Sequence, residues 1–126
     1  MIKGVGIDVV ELERFRNLPD RTEFTRQILS DTEIANMQSG VNQDLLCETA
    51  FAVKEAVLKA LGTGLHHGSY WHEIEITGSG QLLLSGHLAA VARDQSVTGI
   101  HSSQSYTDTC VVAFVLLEHD NRETSL

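Results

Sequence analysis

The sequence predicts an α+β fold: a mainly antiparallel sheet packed around one long, nearly buried helix. Three observations carry this. Apolar, β-branched runs at residues 2–10 and 109–118 have strand composition and stand at opposite ends of the chain. Residues 45–61 repeat apolar side chains at helical spacing along their whole length. Two further short runs, 71–77 and 82–84, flank Gly78-Ser79-Gly80 and read as a hairpin.

The elements follow in order. Residues 2–10 form a strand with Asp8 near its end. Residues 11–18 read as a helix stopped before Pro19, which removes a donor and restricts the residue ahead of it. Asp20-x-x-Glu23 and Ser30-x-x-Glu33 are capping-box patterns, so two short helices follow. Residues 39–42 are a turn. The long helix, 45–61, is closed by Gly62 and Gly64, which can take the left-handed conformation a helix end often needs. After the hairpin come a short helix at 86–95 and strands at 97–104 and 109–118.

Composition bounds the function. The 126 residues suffice for one hydrophobic core, so residues 1–118 read as one domain with a polar tail at 119–126. Apolar residues make up 42% and charged residues 21%, the balance of a soluble globular protein. No apolar run approaches the ~20 residues a bilayer span needs. Asp8 interrupts the opening that a signal peptide would require, so the expected location is cytoplasmic, without membrane partners. Cys47 and Cys110 lack Cys-x-x-Cys spacing and read as core thiols rather than a disulfide. A formal net charge of −8 argues against nucleic acid as a partner. Four of the six arginines nevertheless cluster at Arg14, Arg16, Arg21 and Arg26, interleaved with acids. That pattern serves a salt-bridged helix pair or a landing surface for an acidic partner.

The long helix poses the chemical question. At about 100° per residue, Phe51, Val53, Val57, Leu58, Ala60 and Leu61 cover roughly half its circumference. Glu48, Glu55 and Lys59 gather within about 40° on the other side, and Lys54 points into the apolar arc, where an unpaired ammonium is costly. Asp8 and Glu55 come from two elements expected to pack together. Two such carboxylates suit a hard cation such as Mg²⁺, with Lys59 placed for a phosphate oxygen. The same spacing also allows a plain i,i+4 ion pair between Glu55 and Lys59, worth about 0.3–0.5 kcal/mol. Gly62-Thr63-Gly64 follows a helix rather than opening one, so it is no phosphate loop. His66-His67 reads as an exposed loop pair, and no Gly-x-Ser-x-Gly elbow accompanies the serines near His101.

"GIDVVELERF" (residues 6–15) and "FAVKEAVLKALGTGL" (residues 51–65) resemble the two signature blocks of the 4′-phosphopantetheinyl transferases, within them the small holo-[acyl-carrier-protein] synthase type. "WHEIEI", "GIHSSQS" and "CVVAFVLLE" follow in the same order, so the resemblance spans nearly the whole chain. It implies the fold of that family. It further implies Mg²⁺ held by Asp8 and Glu55 on the coenzyme A pyrophosphate, with Lys59 contacting phosphates or assisting proton transfer. Asp8, Glu55 and Lys59 are thus the implied catalytic residues, and Lys59, Gly62, Gly64, Ser103 and Ser105 the implied coenzyme A contacts. The reaction implied is transfer of 4′-phosphopantetheine to a serine of apo acyl carrier protein, releasing adenosine 3′,5′-bisphosphate, with Glu55 or a water on the metal as base. Arg14 and Arg21 would receive the carrier. The family type is a homotrimer with active sites at subunit interfaces.

Three positions depart from the family pattern. Ala50 stands where an arginine for the coenzyme A 3′-phosphate is usual, Gln81-Leu82 where a Gly-Lys-Pro turn continues, and Tyr106 where a Ser-x-Ser-His segment ends in histidine. All three concern the nucleotide side, while the carboxylate pair is intact. They leave one alternative of another class: a non-catalytic carrier-protein-binding or assembly subunit with the same fold.

Overall fold

The computed structural model describes residues 1–37, 42–63 and 71–121. In chain order the elements are β1 (Ile2–Glu11), α1 (Leu12–Arg16), α2 (Arg21–Ile28), α3 (Asp31–Ala35) and α4 (Gln43–Leu61). A 3₁₀ turn over Trp71–Glu73 leads into β2 (Ile74–Ile76), β3 (Leu82–Leu84), α5 (Gly86–Asp94), β4 (Gly99–Tyr106) and β5 (Cys110–Glu118). One sheet is antiparallel in the order β1-β5-β4, and β2 and β3 form a separate hairpin. The α+β expectation holds, with α4 packed on the three-stranded sheet.

Alternation along β1 sorts its residues onto two faces. Gly4, Gly6, Asp8 and Val10 stand opposite Leu117, Val115, Ala113 and Val111 of β5, all four of which are fully buried under α4. Val5, Ile7 and Val9 take the other face and are exposed. The two glycines set how closely the helix approaches. A Cβ at Gly6 would lie 1.9 Å from the Ala56 carbonyl oxygen, and one at Gly4 would lie 2.3 Å from that of Ala60. With Ala52, Ala56 and Ala60 on α4 itself, strand and helix meet backbone to backbone. Asp8, the next residue on the same face, then emerges beside the helix.

Several boundaries differ from expectation, each for a visible reason. The first helix begins at Leu12, because the Leu12 amide still pairs with the Thr109 carbonyl at 2.9 Å and extends the strand. Asp20 caps α2 through the Glu23 amide, and Ser30 with Glu33 forms a complete capping box on α3. Of the turn expected at 39–42 only Asn42 is described; its side chain accepts from the Leu45 amide and starts α4 two residues early. Gly62, at φ +77°, ends α4 in the left-handed conformation. Gly64 and His66-His67 lie outside the described residues. β4 begins at Gly99 rather than Val97, because the Val97 amide still bonds the Ala92 carbonyl of α5. His119, read as the start of a polar tail, exchanges main-chain hydrogen bonds with Met1. Both cysteines are free thiols.

Candidate active site

Lys59 Nζ lies 2.7 Å from Asp8 Oδ1 and 3.0 Å from the Ile7 carbonyl oxygen. It thus straps α4 to the end of β1, beside the close glycine contact. One turn earlier Glu55 is almost fully buried and accepts a hydrogen bond from the Trp71 indole at 2.9 Å. The two helix residues therefore take different partners, and the i,i+4 ion pair is not their arrangement. Burial pushes the Glu55 carboxyl above its ordinary value; the indole opposes this, nearby Asp8 adds to it and Lys59 opposes it. A cleft of about 380 Å³ is lined by Asp8 and Glu55 together with Glu11, Arg14, Phe15 and Phe51 among others. Its base is an aromatic cluster in which the Phe15 and Phe24 rings meet edge to face at 4.9 Å and Phe51 stands 5.5 Å from Phe24.

Lys54 answers the question raised by the apolar arc. It is fully buried, and Nζ donates to the Ile28 carbonyl at 2.7 Å, Glu33 Oε1 at 2.7 Å and the Trp71 carbonyl at 3.1 Å. An ammonium has three donors, and all three are used. Glu33 also accepts from the Ser30 and Ile76 amides, both at 2.8 Å. This pair ties α2, α3, the 3₁₀ turn and the hairpin to α4. It is structural, and its cost of desolvation is offset by complete hydrogen bonding. Sequence spacing missed both Glu33 and Trp71, since their partners lie far along the chain. The one signal was Lys54 itself, a charge on an apolar arc that had to have a partner.

The remaining candidates separate. Glu48 belongs to the polar stripe but not to the cleft: it is fully buried, paired through Oε1 with Arg16 Nε at 3.2 Å, and raised in pKa by burial. Arg21 pairs with Asp44 and holds that carboxyl below its usual range. Arg14 lines the cleft itself. Gly62 closes α4 one turn beyond Lys59. Ser103 and Ser105 stand opposite Phe114 and Val112, on the sheet face away from α4, so one chain does not bring them to Asp8 and Glu55. Tyr106 is exposed at the end of β4, Gln81 is exposed beside the hairpin, and Ala50 is buried beside Leu46 and Met37.

Among the described residues no group of three or more His, Cys, Asp or Glu could hold a metal ion. A cation here would have the two carboxylates, with water and substrate oxygens completing its shell. That donor set fits Mg²⁺, which keeps several waters and takes one or two protein carboxylates beside phosphate.

A sequence model of the 4′-phosphopantetheinyl transferase superfamily matches residues 4–114. The chain is 37% identical over 124 residues to the holo-[acyl-carrier-protein] synthase of Vibrio cholerae serotype O1, covering 94% of this chain and 98% of that one. Its structure is similar to Plasmodium yoelii acyl carrier protein synthase with ADP bound, with a TM-score of 0.82, 27% identity and coverage of 96% and 98%. It is likewise similar to the Bacillus anthracis holo-(acyl-carrier-protein) synthase in complex with CoA (3′,5′-ADP), with a TM-score of 0.73, 29% identity and coverage of 95% and 99%. No described helix is long and apolar enough to cross a membrane.

Proposed function

The chain belongs to the 4′-phosphopantetheinyl transferase superfamily, and on that premise we propose that it transfers the 4′-phosphopantetheine of coenzyme A to a serine of apo acyl carrier protein. The observation that supports this most is the meeting of Asp8 and Glu55 in the lining of one open cleft, with Lys59 bonded to Asp8, on two elements locked together by Gly4 and Gly6.

In the proposed reaction the serine Oγ forms a bond to the β-phosphorus. The bond from that phosphorus to the bridging oxygen breaks, and adenosine 3′,5′-bisphosphate leaves. Lys59 has one N–H beyond those given to Asp8 and Ile7, and its exposure lets that donor meet a phosphate oxygen. Glu55 is the group to receive the serine proton, on a carboxylate lone pair that neither the indole nor a cation would use. Its burial makes it a better base than a solvated carboxylate. Asp8 and Glu55 would hold Mg²⁺, which when bound offsets charge on the pyrophosphate.

Arg14, in the lining of the cleft, is the proposed contact for the acidic carrier, with Arg21 secondary because Asp44 already occupies it. Val5, Ile7, Val9, Val112 and Phe114 leave the outer sheet face apolar and exposed, which supports an interface between copies of the chain, in the homotrimer that the resemblance implies. Ser103 and Ser105 share that face, so each would serve a neighbouring chain's cleft, making the active sites interfacial. The location proposed is cytoplasmic.

Chromatography of the nucleotide product tests the reaction. Adenosine 3′,5′-bisphosphate should accumulate only when apo carrier protein, coenzyme A and Mg²⁺ are all present, and chelation should stop it. Carrier binding without product would favour the non-catalytic subunit instead.

A further inference from the structure

Trp71 is held at both ends by consecutive residues of α4. Its carbonyl oxygen accepts from Lys54 Nζ at 3.1 Å, and its indole Nε1 donates to Glu55 Oε1 at 2.9 Å. Lys54 is in turn fixed by Glu33 and Ile28, and Glu33 takes the Ile76 amide just after the 3₁₀ turn. The ring packs 6.1 Å from Phe51, whose own ring belongs to the aromatic base of the cleft. Main chain, ring plane and N–H of Trp71 are therefore all constrained. The indole N–H can only donate, so it commits Oε1 of Glu55, and among the described residues no hydrogen-bond donor is paired with Oε2.

We propose that Trp71 is a positioning residue: its indole N–H fixes the Glu55 carboxylate so that a single oxygen, Oε2, is offered to the divalent cation. The inference rests on the reading of Glu55 as a metal ligand. Without the indole, the carboxylate could rotate about its last torsion, and each cation bound would have to select the productive orientation. Partners of this kind behind a metal ligand are typically worth 10–100-fold in affinity. Because Trp71 is the sole tryptophan, its emission reports directly on the group it touches.

Two measurements test this without relying on turnover. Trp71→Phe keeps the ring against Phe51 and removes the N–H. Free Mn²⁺, counted by electron paramagnetic resonance in the presence of coenzyme A, should show the dissociation constant rising about tenfold or more, with the melting temperature close to wild type. In transfer assays the metal half-saturation should rise by the same factor, while kcat at saturating metal stays near wild type. In the unmodified protein, Mg²⁺ should cause a saturable change in Trp71 emission that Glu55→Gln abolishes; this stands even if Trp71→Phe folds poorly. Unchanged Mn²⁺ affinity in Trp71→Phe, or no Mg²⁺-dependent emission change in wild type, overturns the positioning role. If Glu55→Gln binds Mn²⁺ as tightly as wild type, the ligand assignment itself fails, and the positioning role with it.

Discussion

Replacing Gly6 by alanine should damage both stability and chemistry, although the residue carries no reactive group. The added Cβ would sit 1.9 Å from the Ala56 carbonyl oxygen and 2.8 Å from the Ala60 amide nitrogen. Both are main-chain atoms inside a helix, so no side-chain rotation relieves the clash. To restore even a tight 3.0 Å contact, β1 and α4 must part by about 1.1 Å, the difference between 1.9 and 3.0 Å. Overpacking of that kind costs about 1–3 kcal/mol, and here the upper end applies because neither element can yield locally. The same displacement strains the contact of Lys59 Nζ with Asp8 Oδ1, now 2.7 Å, and draws Asp8 away from Glu55. A misplacement of about 1 Å can cost 10²-fold in rate, so kcat/KM should fall by about that factor. Urea denaturation and a transfer assay at saturating Mg²⁺ measure the two effects. Gly78→Ala, where nothing lies within 4 Å of the added carbon, is the stability control. If Gly6→Ala matches wild type in both assays, the idea that the glycine contact sets the site's geometry is wrong.

Glu55→Gln should abolish transfer yet melt no lower than wild type at neutral pH. The folded-state pKa of Glu55 is raised above 4.5, so the folded chain binds the extra proton, and its stability falls as pH rises from there through the folded pKa. Glutamine removes that loss, so the melting difference should favour the variant above this window and vanish below pH about 4.5; a lower melting temperature at pH 7 would refute it. Coenzyme A and 3′-dephospho-coenzyme A should bind with affinities within about threefold by calorimetry. Ala50 offers no cation and Lys54 has no donor left, whereas a charged contact would be worth about 1.5–3 kcal/mol. A preference for coenzyme A above tenfold would assign that phosphate to another cation. Arg14→Glu should raise KM for the carrier protein and flatten its salt dependence, leaving coenzyme A affinity unchanged. Arg21→Glu should do less, and equal effects would contradict the Asp44 pairing.

The parts legible in the sequence were those fixed by local rules. Helical periodicity placed α4, capping boxes placed α2 and α3, and the strand-end position of Asp8 put it near Glu55 and Lys59. What stayed hidden depends on contacts distant in sequence. Glu48 shares the polar stripe with Glu55, and only the packing of α1, which delivers Arg16, separates a buried ion pair from a site residue. Lys54 announced a partner without naming it, because Glu33 is 21 residues away. The 3₁₀ turn replaced the first residues of an expected strand because Lys54 and Glu55 capture the carbonyl and indole of Trp71. The roles of Gly4 and Gly6 required knowing which face of β1 meets α4. Arginine clustering alone gave Arg14 and Arg21 equal standing, and pairing with Asp44 distinguishes them.

Mass spectrometry of apo acyl carrier protein, incubated with coenzyme A, Mg²⁺ and this chain, tests most directly whether the Asp8–Glu55 pair performs the transfer. Wild-type protein should add the mass of one phosphopantetheine to the carrier, and Asp8→Ala and Glu55→Ala, folded by circular dichroism, should leave it apo. Modification by either variant at a rate near wild type, or none by the wild type itself, would contradict it.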